Sequence, residues 1–200
     1  MSVDLLLAFI AFAFVTSVTP GPNNMMLLAS GVNFGMRRSV PHMLGISIGF
    51  GVMVIAVGLG LGELFKRVPA LYTVLRYVGA IYLLYLAWRI ARSGAPEANG
   101  ESQGKPFTFV QAAAFQWVNP KAWVMAVTAI TTYVSQDNFV VSVLLIGVLF
   151  AVVNGPSVGL WTVAGSLLRT WLSNPRTLRI FNITMAVLLV ASLYPILRDA

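Results

Sequence analysis

Two short stretches place polar and helix-breaking residues inside otherwise apolar sequence. The first is Thr19-Pro20-Gly21-Pro22-Asn23-Asn24 and the second is Gln116-Trp117-Val118-Asn119-Pro120-Lys121. Two prolines flanking a glycine cannot continue an α-helix in either direction, and an Asn-Pro pair interrupts the second stretch in the same way. Each break reads as a fresh helix start, with Thr19 or Asn119 as N-cap and Pro20 or Pro120 in the first helical position. A helix that begins within apolar surroundings offers unpaired N–H donors and the positive end of its dipole. An anionic group such as a carboxylate is the natural guest. Lys121 adds a full positive charge to that field, and Asn23, Gln116 and Asn154 are the neutral polar contacts expected around it. If the prolines served packing alone, two six-residue interruptions in matching places, one with a lysine, would have no reason to recur.

The elements that must hold these residues are membrane helices. Hydrophobic residues make up 58% of the chain and charged residues 10%, too little polar surface to coat a water-soluble globule. At roughly 20 apolar residues per crossing, 200 residues allow about six spans in one transmembrane domain covering 1–200. Apolar segments run from Asp4 to Gly31, Pro41 to Gly62, Leu71 to Ile90, Phe107 to Val134, Phe139 to Leu168 and Leu178 to Leu197. The first is too long for a signal-peptide core and reads as a retained span. Between the third and fourth lies Ser93 to Pro106, rich in Gly, Ser, Pro and acids, a flexible linker between repeats of about 1–92 and 107–200. Three spans in each half force the second half to enter the membrane in the opposite sense. The expected fold is therefore all-α, six transmembrane helices as a 3+3 inverted repeat, with the first and fourth helices broken at similar depth. Gly45 to Gly51 in the second span and Asn154 to Ser157 in the fifth continue the echo. Interrupted segments at corresponding positions point to a transporter's binding site, because a broken helix is tolerated in hydrocarbon only where it is buried in protein or lines a cavity.

The bases lie singly in short connections, which argues for orientation rather than a nucleic-acid partner. With the N-terminus outside, the inner loops hold Arg37, Arg38, Arg89, Arg92, Lys105, Arg169, Arg176 and Arg179, against Lys66, Arg67 and Arg198 outside. This bias predicts both termini outside. Arg76, one turn into its helix, snorkels to the interface on this reading. The chain has no cysteine, which removes disulfides, thiolate metal sites and cysteine nucleophiles. Small-residue spacings at Gly31/Gly35, Gly45/Gly49 and Gly58/Gly62 suit close helix approach, either within one chain or between two copies in a homodimer. Trp117 and Trp123 flank the second break and are candidates for walling the pocket.

The TPGPN stretch from Thr19 to Asn23 and the Q-x-x-NPKA stretch from Gln116 to Ala122 resemble the signature of the LysE/RhtB family of amino-acid exporters. The likeness covers the whole chain: its length, apolar profile, central hydrophilic linker, the GISIGFG segment and the Asn-Gly-Pro of the fifth span. The resemblance implies export of small amino acids or their derivatives across the bacterial inner membrane by a multi-pass protein driven by protons. It also implies that Pro20, Gly21, Pro22, Asn23, Gln116, Asn119, Pro120 and Lys121 form the motif positions. No nucleotide-cradling G-x-x-x-x-G-K-[ST] stretch is present, and no cofactor is expected.

Every acid, from Asp4 through Glu63, Glu97, Glu101 and Asp137 to Asp199, lies at a span end or in a loop. The candidates for proton coupling are therefore Lys121, His42, or the substrate's own amino group. A cationic substrate side chain would meet Lys121 and no buried counter-charge, so neutral amino acids are favoured. A passive channel is the first rival. A metal exporter lacks ligands, and an intramembrane enzyme lacks a base at the depth of Ser17, Ser30 or Ser47.

Overall fold

The computed structural model describes residues 2–93, 104–135, 137–172 and 174–194. Within them the elements are α1 (Val3–Val18), α2 (Pro22–Ala56) continued by a π-helical turn (Val57–Leu61), α3 (Gly62–Arg67), α4 (Pro69–Ala91), α5 (Phe109–Gln116), α6 (Pro120–Tyr133), α7 (Phe139–Trp171) and α8 (Pro175–Ala191). The described residues contain no strand. Most of the expected linker, residues 94–103, lies outside the described residues, as does the end of the expected sixth span beyond residue 194.

Local sequence explains where these helices start. Ser2 Oγ accepts the Leu5 N–H at 3.3 Å, and Thr108 forms a capping box with Gln111. Asn174 caps α8 through the Arg176 N–H at 2.9 Å, and proline occupies the first turn of α2, α4, α6 and α8.

The connection expected between the first two spans is itself helical except at Gly35, whose backbone at φ 76°, ψ 171° is open to glycine and costly for residues with a Cβ. Neighbours on α7 establish what this residue does. Gly31 lies against Thr162, Gly165 and Ser166, and Gly35 against Arg169; then Met43 meets Gly159, Gly51 meets Ala151, and Gly58 meets Val143. The contact point climbs α7 and then descends it, so the chain reverses at Gly35. Helix α2 is a hairpin of two helical arms, 22–34 and 36–56, folded without a loop.

Helices from before and after residues 94–103 pack on one another. Leu83, Leu86 and Ile90 of α4 share a core with Met185 and Leu189 of α8. Phe9 and Ala13 of α1 meet Ala126 and Ala129 of α6. The α2–α7 crossing is closer still, because glycines remove the side chains between the backbones. A Cβ on Gly31 would lie 2.3 Å from the Thr162 carbonyl, and one on Gly165 would lie 2.2 Å from that of Leu28. Gly45 and Gly49 do the same against α5, at 2.3 Å from Phe109 O and 2.6 Å from the Ala113 Cα. The small-residue spacings are thus used to join helices within the chain.

Polarity is turned inside out relative to a soluble protein. Leu7, Ile81, Val110, Val124, Val141 and Leu167 are exposed, while Ser17, Asn24, Gln116, Asn119, Asn154 and Asn182 are buried. Pro22–Leu61, Thr73–Ala91 and Phe139–Trp171 are each long and apolar enough to cross a bilayer by length and composition.

The glycine contacts give a stability test. Gly165→Ala should destabilise the protein by about 1–3 kcal/mol, the usual cost of overpacking, lowering its unfolding temperature in detergent. Gly155→Ala, whose new methyl would find Ser47 Oγ at an ordinary 3.5 Å, should leave that temperature nearly unchanged.

Candidate functional site

Helix α1 stops at Val18 and α2 starts at Pro22, so the first break is a three-residue extended connection. This corrects the expectation that Thr19 caps the new helix with Pro20 in its first position. Thr19 is the C-cap of α1, its N–H donating to Val15 O at 3.1 Å, while Gly21 is the N-cap of α2 and Pro22 its first residue. The reason lies in the prolines. A residue preceding proline is pushed out of the α region, so Pro20 holds Thr19 extended and Pro22 holds Gly21 extended; the helix cannot begin before Pro22. The second break follows the sequence expectation. Asn119 caps α6, its Oδ1 accepting the Lys121 N–H at 3.1 Å, and Pro120 opens the helix.

The breaks satisfy their carbonyls in different ways. At the second, the chain tightens into three-residue turns, Trp117 N–H to Ala114 O, Val118 N–H to Phe115 O and Asn119 N–H to Gln116 O. Trp123 Nε1 donates to Trp117 O at 2.8 Å. At the first, side chains do the work, some from the break itself and some from distant helices. Thr19 Oγ1 donates to Thr16 O at 2.9 Å, and Asn24 Nδ2 donates to Ser17 O at 2.9 Å and Thr19 O at 2.7 Å. Trp161 Nε1, from α7, donates to Val18 O at 3.0 Å. Lys121 Nζ, from the other break, reaches Thr19 O at 2.7 Å, Thr19 Oγ1 at 3.0 Å and Pro20 O at 3.4 Å. Its ammonium therefore sits at the negative end of the α1 dipole. Gly21 leaves room for it, since a Cβ there would lie 2.9 Å from Lys121 Cδ.

Two further bridges close the site. Asn23 and Gln116 exchange reciprocal amide hydrogen bonds of 2.8 and 3.1 Å across the breaks. Asn154 Nδ2 donates to Ser17 Oγ at 2.9 Å, and Ser47 Oγ donates to Asn154 Oδ1 at 3.3 Å, tying α1, α2 and α7 together. Between them remains a polar cavity of about 20 Å³, room for a single water and far short of an amino acid.

Of the residues expected in the site, Gly21, Asn23, Gln116, Asn119, Lys121 and Asn154 line this cavity. Thr19 touches Lys121 without lining the cavity. Pro20, Pro22 and Pro120 shape the breaks and stand off the wall. Sequence reading missed Thr16, Ser17, Asn24, Phe50, Met125 and Val158, which complete the lining with Ala122. Ser17 and Asn24 were visible as polar residues flanking the first break; the three large apolar residues had no contrast against an apolar span. Trp117 and Trp123 lie outside the lining. His42 also lies outside it, fully buried with its ring edge-on to Phe107 at 5.1 Å and both ring nitrogens unpartnered. Lys121 is the one titratable side chain of the lining.

An apolar exterior, inward-facing amides and two interrupted helices that meet at a small polar cavity define a membrane translocator. The profile of the family described as LysE type translocator matches residues 14–192, and the chain belongs to that family. Its relatives include the cysteine/O-acetylserine efflux proteins of Escherichia coli (strain K12), Shigella sonnei (strain Ss046) and Shigella flexneri serotype 5b (strain 8401). Each is 36% identical over 193 residues, covering 95% of this chain and 96% of the relative. No solved structure matches the chain.

The amide bridge yields a prediction. Gln116→Leu strips the half-buried Asn23 amide of its partner and should cost about 1 kcal/mol. The double variant with Asn23→Leu should cost less than the two single losses added together, because no unpaired amide is left behind. Thermal unfolding of the purified variants reads both effects.

Proposed function

We propose that this protein is a secondary exporter of small neutral amino acids or their derivatives, of the cysteine and O-acetylserine class, in the bacterial inner membrane. The observation that carries the reading is the cavity itself: two half-helix N-termini, five amide side chains and one lysine, with no carboxylate in its lining. The start of α2, which has no side-chain cap, favours a carboxylate, amides suit polar neutral groups, and a cationic side chain would meet Lys121 with nothing to offset it. Relatives 36% identical to this chain are cysteine/O-acetylserine efflux proteins, which supports the substrate class.

On this reading the chain crosses the membrane six times as one transmembrane domain, repeats of about 1–92 and 107–200 running in opposite senses with both termini outside. Support comes from the packing of the second arm of α2 on α7 and of α4 on α8, each element against its counterpart in the other half. The binding residues are Thr19, Pro20, Gly21, Pro22, Asn23, Gln116, Asn119, Pro120, Lys121 and Asn154, the prolines acting through the shape of the breaks. The small cavity, too tight for an amino acid, widens for substrate when the bridges between the halves part. Export is coupled to protons through Lys121 or through the amino group of the substrate.

Cells expressing the protein should release labelled cysteine or O-acetylserine faster than cells without it, and lysine or arginine no faster. Lys121→Ala should slow that efflux by about tenfold or more, what loss of one charge-assisted hydrogen bond implies. Undiminished efflux at equal membrane abundance, or acceleration of lysine and arginine alone, would overturn the reading.

A further inference from the structure

Each amide around the cavity makes a side-chain hydrogen bond, yet one of them keeps a buried atom without a partner. Asn23 and Gln116 satisfy each other, Asn154 is held by Ser17 and Ser47, Asn119 Oδ1 takes the Lys121 N–H, and Lys121 Nζ rests on Thr19 and Pro20. Asn24 is different. It is 2% exposed and lines the cavity, and its Nδ2 donates both hydrogens, to Ser17 O and Thr19 O. Those two bonds fix which way the amide points, so the remaining atom is the carbonyl oxygen, and Oδ1 has no partner. A buried acceptor left unpaired carries the full cost of its desolvation.

Beside it are donors in the same condition. The N–H groups of Asn23 and Asn24 fall in the first turn of α2, where no intrahelical acceptor exists, and Gly21 has no side chain to cap them. One residue thus presents an orphan acceptor and, with its neighbour, orphan donors at the positive end of a helix. A zwitterion has the complementary pattern: a carboxylate that only accepts and an ammonium that only donates.

We infer that Asn24 is the specificity residue for the substrate's α-ammonium, receiving it on Oδ1 while the Asn23 and Asn24 N–H groups take the carboxylate. This rests on the exporter reading above and goes further, because it makes a free α-amino group a requirement of the site. A substrate whose amine is acylated has lost its charge and two of its donors and gained bulk where Oδ1 waits.

O-acetylserine and N-acetylserine test this directly, being isomers that share a carboxylate and an acetyl group and differ in which atom is acylated. In vesicles carrying the full chain, each is used to inhibit transport of labelled cysteine. O-acetylserine should inhibit at concentrations about tenfold or more below N-acetylserine, the ratio expected for one charge-assisted hydrogen bond. Asn24→Ala should bring that ratio close to one by weakening O-acetylserine alone. A purely structural role for Asn24 would change both inhibitors together and leave the ratio standing. Equal inhibition by the two isomers in the unaltered protein overturns the inference, a comparison that decides the matter even where Asn24→Ala does not accumulate, and so does an unchanged ratio in Asn24→Ala. Vesicles that move no cysteine and no other neutral amino acid overturn instead the exporter reading on which it rests.

Discussion

The structure depends on one constraint: a helix that stops inside an apolar region must hand its last carbonyls to donors that remain within reach. Lipid cannot take them, and each group left unpaired would cost several kcal/mol in a lipid-like medium. At the end of α1 the carbonyls of Thr16, Ser17, Val18, Thr19 and Pro20 are met by Thr19, Asn24, Trp161 and Lys121. Those donors come from the break itself, α2, α7 and α6. The termination of one helix therefore fixes the relative positions of three others. The glycines of α2 and α7 serve the same end, because Trp161 reaches Val18 only if α7 lies close against the neighbouring arm of α2.

The two breaks share an outline and differ in dependence. The second is local, capped by its own Asn119 and tightened by its own turns, and it would keep its form if the first were removed. The first is held from outside. Lys121 is the link between them, and its ammonium spans from a self-sufficient element to a dependent one. A positive charge at the carbonyl end of α1 also offsets the partial negative charge that a helix terminus places in low dielectric. Such an arrangement makes the lysine both a support of the closed form and a charge beside the cavity.

Much of this was legible from residue types. Proline and glycine mark the breaks irrespective of surroundings, and Asn119-Pro120 specifies a cap and a first helical residue within two positions. Thr19-Pro20-Gly21-Pro22 offered two places for α2 to start, and the choice of Pro22 turns on what each proline does to the residue before it. The location of the first reversal was readable between Gly31 and Pro41, whereas its form was not, since a hairpin made at one glycine leaves no loop composition behind. Lys121 was recognised as a charge at the site, but the direction of its ammonium depends on a carbonyl 102 residues away. Phe50, Met125 and Val158 line the cavity from spans where apolar residues are everywhere, so nothing in their type sets them apart.

The contact between α2 and α7 has a mechanical meaning. Where Gly31 and Gly165 let two backbones touch, a shift of one helix by a residue would drive Leu28 or Val32 into the space a glycine left vacant. The pair can bend or tilt as a unit, but it cannot slide. Any motion that opens the cavity must then be taken up on its flanks, by α1 and α6 or by α4 and α8, turning about a central spine that keeps its own register.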